Sequence, residues 1–311
     1  MTTDRPSAAR PIVLRAILVV VLAACGTSAS TSPGASSASP AATRAATPAT
    51  TATNQPATIA PTPTPPSVPM QAKTITVAGD GRVVELFVPP MPEGAKAPLL
   101  ILLHASGENS LAMASQSHAG ELAAREGVIV ALPPARGRSW DGMVAAVDPI
   151  TPSADAAYIV GLIDELKDEL PVDPQRVFVA GFSIGAVMSE RIGCQFADRV
   201  AAVALNAGAP WSDECSPSRP TSILVMHGTA DTTFKFALAV KVVQRWRAAD
   251  ACTGEPTITH LSDIATSQRD DHCAEGTAVQ FVSYAGIGHR WFANPSATDV
   301  LWSFFASIPP R

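Results

Sequence analysis

Residues 98–104 (PLLILLH) are apolar almost without interruption, and the runs 128–132 (VIVAL), 176–180 (RVFVA), 199–205 (RVAAVAL) and 222–226 (SILVM) are nearly as apolar. A strand that lacks a polar face must be covered on both sides, which is the condition of strands inside a parallel sheet. Helical spacing fills the gaps: residues 111–126, 154–170, 184–193, 234–249 and 297–306 repeat apolar positions every three to four residues. Acidic groups are expected on the exposed face of the second of these helices. Strand and helix in alternation predict an α/β fold, a mostly parallel sheet with helices on both faces. The earliest runs, 74–77 (TITV) and 83–88 (VVELFV), alternate instead, and Gly79-Asp80-Gly81 separates them. They predict a hairpin forming an antiparallel edge. Residues 279–284 (VQFVSY) read as the last strand, and the polar stretch 252–277 as an irregular insertion. Neither an internal repeat nor a second domain is discernible.

One junction carries chemistry. Gly181-Phe182-Ser183-Ile184-Gly185 stands between the strand RVFVA and a helix opening at Ile184. G-x-S-x-G in that setting is the signature of a nucleophile elbow, in which a sharp turn lifts the serine hydroxyl above the sheet. The same turn aims the Ile184 N–H, at a helix N-terminus, toward a developing oxyanion. A serine hydroxyl needs a base, and in this chain order acid and then base follow the serine. Asp231, past the strand SILVM in His227-Gly228-Thr229-Ala230-Asp231, suits the acid better than Asp213 or Asp250. His289, in Gly286-Ile287-Gly288-His289-Arg290-Trp291, suits the base, on a loop that its glycines would leave flexible. The loop after residues 98–104 should add a second oxyanion donor, the N–H of Ser106. Trp140, Phe182, Trp211 and Trp291 are candidate pocket walls. Asp270, Asp271 and His272 fit no zinc or calcium spacing, and there is neither a dinucleotide fingerprint nor a phosphate loop, so no metal and no cofactor are expected.

The N-terminus has a different texture. Arg5, Arg10 and Arg15 precede a short apolar core at residues 16–24, well under the roughly 20 residues a membrane span needs. The string Leu22-Ala23-Ala24-Cys25-Gly26 resembles a bacterial lipobox, which makes residues 1–24 a lipoprotein signal peptide and Cys25 the lipidated residue. Residues 25–72, nearly all Ser, Thr, Ala and Pro, have no periodicity from which a core could form and read as a tether. Residues 73–311 remain as the folded domain. The expected location is the bacterial cell envelope, by lipid anchor, or the exterior by secretion. A net charge of −5 offers no electrostatic footprint for nucleic acid, and a monomer is expected. Four further cysteines in an exported domain predict two disulfides, with three possible connectivities. The sequential pairing, Cys194 with Cys215 and Cys252 with Cys273, is favoured, each closing a loop of about twenty residues that is worth on the order of 3 kcal/mol.

Over about residues 75–308 the chain resembles the secreted polyhydroxybutyrate-depolymerase and feruloyl-esterase-like branch of the α/β-hydrolases. The resemblance is carried by ILLH at 101–104, Ser-Trp-Asp-Gly at 139–142, Asp-Ala-Ala-Tyr-Ile at 155–159, VDPQRVFVAGFS at 172–183, His-Gly-Thr-Ala-Asp at 227–231 and Gly-His-Arg-Trp at 288–291. The family's His-Gly is His104-Ala105 here, its elbow's Gly-Gly is Gly185-Ala186, and its Trp-Pro-Gly is Trp291-Phe292-Ala293. The resemblance implies hydrolysis of carboxylic esters through an acyl-enzyme, with Ser183 as nucleophile, His289 as base and Asp231 as its orienter, and it supports a Cys194–Cys215 bridge. A small or oligomeric ester is the expected substrate, with a short-chain, hydroxyacyl, feruloyl or acetyl group, and insoluble polymer is disfavoured because no polymer-binding module is recognised. The same residues are compatible with a peptidase or acyltransferase on this fold, and with a lipid-anchored binding module that has no catalysis.

Overall fold

The computed structural model describes residues 66–141 and 153–311. The expected signal segment, Cys25, Gly142 and most of the expected tether lie outside the described residues. The chain opens with β1 (Met70–Val77) and β2 (Asp80–Phe87), a hairpin whose two-residue turn is Ala78-Gly79, both at positive φ. Strand pairing therefore begins three residues before the expected domain start at 73, because Met70 to Ala72 pair by backbone with Glu85 to Phe87. There follow β3 (Ala97–Leu103), α1 (Ser110–Ser117), α2 (Ala119–Glu126), β4 (Ile129–Leu132), α3 (Ala154–Glu169), β5 (Val172–Phe182) and α4 (Ile184–Gln195). The second half comprises β6 (Ala202–Asn206), β7 (Ser222–Gly228), α5 (Phe236–Ala249), β8 (Thr257–His260), β9 (Ala265–Asp270), β10 (Val279–Tyr284) and α6 (Ala297–Ser307).

The strands form one sheet in the order β1-β2-β4-β3-β5-β6-β7-β10-β9-β8. The six from β4 to β10 are parallel, and an antiparallel pair closes each end. Side chains of β3 alternate between two cores, as the strand period of two requires. Leu99, Ile101 and Leu103 join Ile159, Ile163, Val187 and Trp246 under α3, α4 and α5, while Leu100 and Leu102 join Leu122, Phe178 and Phe305 under α2 and α6. From β3 the chain moves to β4 on one side and then crosses to β5 on the other. Such a reversal leaves a crevice at the carboxyl ends of β3 and β5, where open α/β sheets place their ligands.

Three local expectations are corrected. Residues 252–277 hold the hairpin β8–β9 and lengthen the sheet. All four residues of β8 are exposed, so no apolar alternation marks it, and backbone pairing alone makes it a strand. The helix expected over 111–126 is two, broken at His118, whose φ of 50° and ψ of 43° are left-handed. On α3, Glu165, Asp168 and Glu169 are exposed, but Asp155 is buried against Arg82 at 2.7 Å. A carboxylate at that depth needs the partner, since burying it unpaired would be costly.

Candidate active site

β5 delivers Ser183 to the crevice. Its φ of 57° and ψ of −118° lie outside the ordinary wells, a conformation that costs on the order of 1–3 kcal/mol and persists only where the surroundings enforce it. Here the Ser183 N–H donates to the Asn206 carbonyl (3.0 Å), and the Ser183 carbonyl accepts from Ala186 and Val187 as α4 begins. A Cβ on Gly185 would stand 2.5 Å from the Leu103 carbonyl oxygen, so only glycine lets the serine helix touch the end of β3. That contact sets the distance between the serine and the loop after β3.

The other two predicted residues arrive on loops after β7 and β10. His289 Nε2 lies 2.8 Å from Ser183 Oγ, and Nδ1 lies 2.7 Å from Asp231 Oδ2. An ionised carboxylate only accepts, which puts the imidazole proton on Nδ1 and leaves Nε2 free to accept from the serine hydroxyl. Asp231 Oδ1 accepts from the N–H groups of Thr233 (2.8 Å) and Phe234 (3.0 Å). The rings of Phe182 and Phe234 pack against His289 at 5.2 and 5.8 Å. The His289 loop is pinned, contrary to the flexibility its glycines predict. Asn206 Nδ2 donates to the Arg290 carbonyl, Ala230 N–H to the Ile287 carbonyl, and Gly286 N–H to Thr229 Oγ1. Gly228 lies so close to the Ile287 carbonyl that no side chain fits between the two loops.

The N–H groups of Ser106 and Ile184 find no acceptor among the described residues. Both residues line a cleft of about 430 Å³ with Ser183, Trp140 and Phe234. Ala105, where the family has glycine, is buried and avoids the left-handed region, so its methyl group costs no backbone strain. What holds this loop is His104, a residue whose role sequence reasoning missed. Its Nδ1–H donates to the Ala105 carbonyl (2.8 Å), its Nε2 accepts from the Ala135 N–H (3.1 Å), and its carbonyl accepts from the Trp140 indole (2.8 Å). Burial holds this imidazole below its ordinary pKa, which keeps it neutral in that role. The only sequence signal was a histidine at the end of an apolar strand.

His227 is likewise buried and held low by desolvation. Its Nε2–H reaches the Phe234 carbonyl (2.9 Å) and faces Asp231 Oδ2 at 3.5 Å. Asp155 braces the loop carrying Trp140 by accepting from the N–H groups of Arg136 (3.3 Å) and Asp141 (3.0 Å). Of the candidate walls, Trp140 lines the cleft beside Ser183, and Phe182 and Trp291 line a second one on the far side of His289. Trp211 lies elsewhere. It packs under the Arg191 guanidinium at 5.0 Å and its backbone N–H donates to buried Glu190, so the back of α4 takes it away from the serine. Disulfides join Cys194 to Cys215 and Cys252 to Cys273. Asp270 sits near the second, but both sulfurs are spent in the bridge and the carboxylate pairs with Arg247, so that cluster offers no thiolate. Among the described residues no helix is long and apolar enough to cross a membrane.

The family model described as esterase PHB depolymerase matches residues 83–251. The chain is 27% identical over 235 residues to the bifunctional acetylxylan esterase/xylanase XynS20E of Neocallimastix patriciarum, covering 73% of this chain and 33% of that one. It is 30% identical to feruloyl esterase B of Piromyces equi, covering 62% and 39%. It thus spans between a third and two fifths of these two relatives' lengths. It is also 30% identical to NocK of Nocardia uniformis subsp. tsuyamanensis, covering 71% of this chain and 73% of that one. Among solved structures, the acetyl xylan esterase from Aspergillus awamori superposes with a TM-score of 0.63 at 16% identity, over 76% of this chain and 99% of that one. The feruloyl esterase module from Clostridium thermocellum superposes with a TM-score of 0.58 at 14% identity, over 79% and 90%. At these identities the likeness concerns the fold, the α/β-hydrolase fold.

Proposed function

The chain belongs to the esterase PHB depolymerase family, and on that premise we propose that it hydrolyses carboxylic esters through an acyl-enzyme formed on Ser183. The observation that carries this reading is the continuous chain Ser183 Oγ, His289, Asp231, opening beside two N–H groups that find no acceptor among the described residues. His289 Nε2 takes the hydroxyl proton as Ser183 Oγ bonds to the ester carbonyl carbon. The N–H groups of Ile184 and Ser106 receive the oxyanion. The carbon–oxygen bond to the alcohol breaks, and the imidazolium proton goes to the departing oxygen. Water then repeats the sequence on the acyl-enzyme, with His289 again as base, and releases the acid and free Ser183. Asp231 keeps the imidazole in the tautomer this requires and stabilises it once it is protonated.

Location and domain plan belong to the same proposal. Residues 1–24 direct export, Cys25 carries the lipid, residues 25–72 tether, and the remainder is the catalytic domain. Two disulfides fit an oxidising compartment. A cleft of about 430 Å³ on the oxyanion side fits a short acyl group in a soluble ester or oligomer. The test is turnover of 4-nitrophenyl acetate and butyrate by the full chain beside Ser183→Ala. Losing the concerted action of such residues costs on the order of 10⁶ in kcat. A folded, disulfide-bonded wild type without turnover would overturn the reading, and so would an active Ser183→Ala.

A further inference from the structure

β7 ends in a buried imidazole that the catalytic cycle does not use. His227 is wholly enclosed, and its Nδ1 has no hydrogen-bond partner among the described residues. A buried acceptor left unpaired costs free energy that an apolar side chain of similar size would not. The offset lies at the other end of the ring. There Nε2–H donates to the Phe234 carbonyl (2.9 Å), and Nε2 stands 3.5 Å from Asp231 Oδ2. A carbonyl and a carboxylate only accept, so the proton is on Nε2 and the orphan Nδ1 carries the lone pair. We infer that His227 is a positioning residue for the triad: it closes the turn from Asp231 to Phe234 and so fixes the carboxylate that orients His289. The inference rests on the ester-hydrolase reading above, in which His289 must be held for proton transfer.

The turn depends on this one side chain because the acid has little else to hold it. The Asp231 side chain is enclosed, and among the described residues neither Lys nor Arg pairs with it. Its charge is met by N–H dipoles. Oδ1 accepts from the backbone of Thr233 (2.8 Å) and Phe234 (3.0 Å), and Oδ2 accepts from His289 Nδ1 (2.7 Å). Two of those three donors belong to the turn whose final carbonyl His227 holds. Releasing that carbonyl frees the backbone of Phe234, and with it an N–H that fixes Oδ1. On Oδ2, 3.5 Å is long for a hydrogen bond, yet a buried N–H dipole at that range still favours the negative charge. The Phe234 ring packs on His289 at 5.8 Å, so the turn reaches the base directly as well as through Asp231. Phe236 packs against the His227 ring at 6.1 Å and helps to hold its plane. His227 lines neither of the clefts beside His289, so it acts through Asp231 and Phe234 and not on substrate.

The test uses the full chain and 4-nitrophenyl acetate. His227→Leu keeps the bulk and removes the donor. It should lower kcat about tenfold to 100-fold and change KM less than about threefold, as misplacing a group remote from substrate does. His227→Gln, whose amide N–H can reach the same two acceptors, should stay within about threefold of wild type in kcat. In the Asp231→Asn background, His227→Leu should cost less than about threefold, because the group it acts through is already lost. In the wild type, the ¹⁵N shifts of the His227 ring should place its proton on Nε2 at neutral pH. The low-field ¹H resonance of the His289–Asp231 proton should move in His227→Leu and return in His227→Gln. A folded His227→Leu with wild-type kcat would overturn the inference, and so would an equal loss in both backgrounds. Should His227→Leu fail to fold, the other two measurements decide: a wild-type proton on Nδ1, or a His227→Gln variant with kcat about tenfold down, overturns it. A wild type that turns over no ester would overturn the hydrolase reading instead, and the nitrogen shifts and the low-field proton would still test where His227 places its donor.

Discussion

Asp250, at the end of α5, tests the electrostatic account of this fold. It is fully buried, its Oδ1 accepts from the Thr221 N–H at 3.1 Å, and its Oδ2 has no partner among the described residues. Burial raises its pKa from 3.8 to about 7, more than the Thr221 N–H and the nearby Arg311 lower it, with Glu275 adding a small rise. Between those two values the folded state binds a proton that the unfolded state has lost, so stability falls as pH rises across that window. A carboxyl whose pKa is one unit higher in the folded chain than in the unfolded one loses about 1.4 kcal/mol on ionising, which puts the full loss above pH 7 on the order of 4 kcal/mol as an upper bound. Asp250→Asn keeps the acceptor for Thr221 and cannot ionise. It should match wild type near pH 4 and exceed it by up to that amount at pH 8. Urea midpoints at pH 4, 5, 6, 7 and 8, with disulfides intact, measure the difference. A gain equal at every pH, or a variant less stable than wild type at pH 8, would refute the reasoning.

Other expectations concern the site and its frame. Asp231→Asn should preserve the fold and lower kcat by about 10⁴, because the amide favours the wrong imidazole tautomer; burst and steady-state kinetics on 4-nitrophenyl acetate measure it. His104→Leu should lower kcat by about 10²-fold with little change in KM, as loosening a donor loop acts on the transition state. Gly185→Ala should cost about 1–3 kcal/mol in a thermal melt and reduce kcat as well, since the added methyl group pushes α4 from β3. Loss of Cys194–Cys215, whose partners are 21 residues apart, should cost on the order of 3 kcal/mol in a urea titration of the Cys215→Ser variant.

The elements that sequence placed well are those whose burial is written into every residue. β3, β5, β6 and β7 are apolar because both faces are covered, and Ser183 is marked by small neighbours that its turn demands. Chain order then singled out Asp231 and His289. Elements held by backbone alone escaped notice. β8 is exposed throughout and exists because β9 offers it a hydrogen-bonding edge, while the break at His118 depends on how α2 packs on the residues preceding β1.

The sequence by itself determined the fold class, put Ser183, Asp231 and His289 forward as the candidate triad that the fold then brings within hydrogen-bonding distance, and favoured the cysteine pairing that is found. Each follows from local pattern, spacing or order along the chain. Only the tertiary structure decided that Trp211 belongs to the back of α4 while Trp291 faces the groove beside His289. It alone set His104 to hold the loop that carries Ser106, buried Asp155 under Arg82, and left Asp250 without a cation in contact among the described residues. Those outcomes depend on which distant segment arrives beside a residue, and composition and periodicity are silent about long-range partners. The physical reason is that burial and hydrogen bonding are settled pairwise in space, whereas period and motif are settled along one dimension.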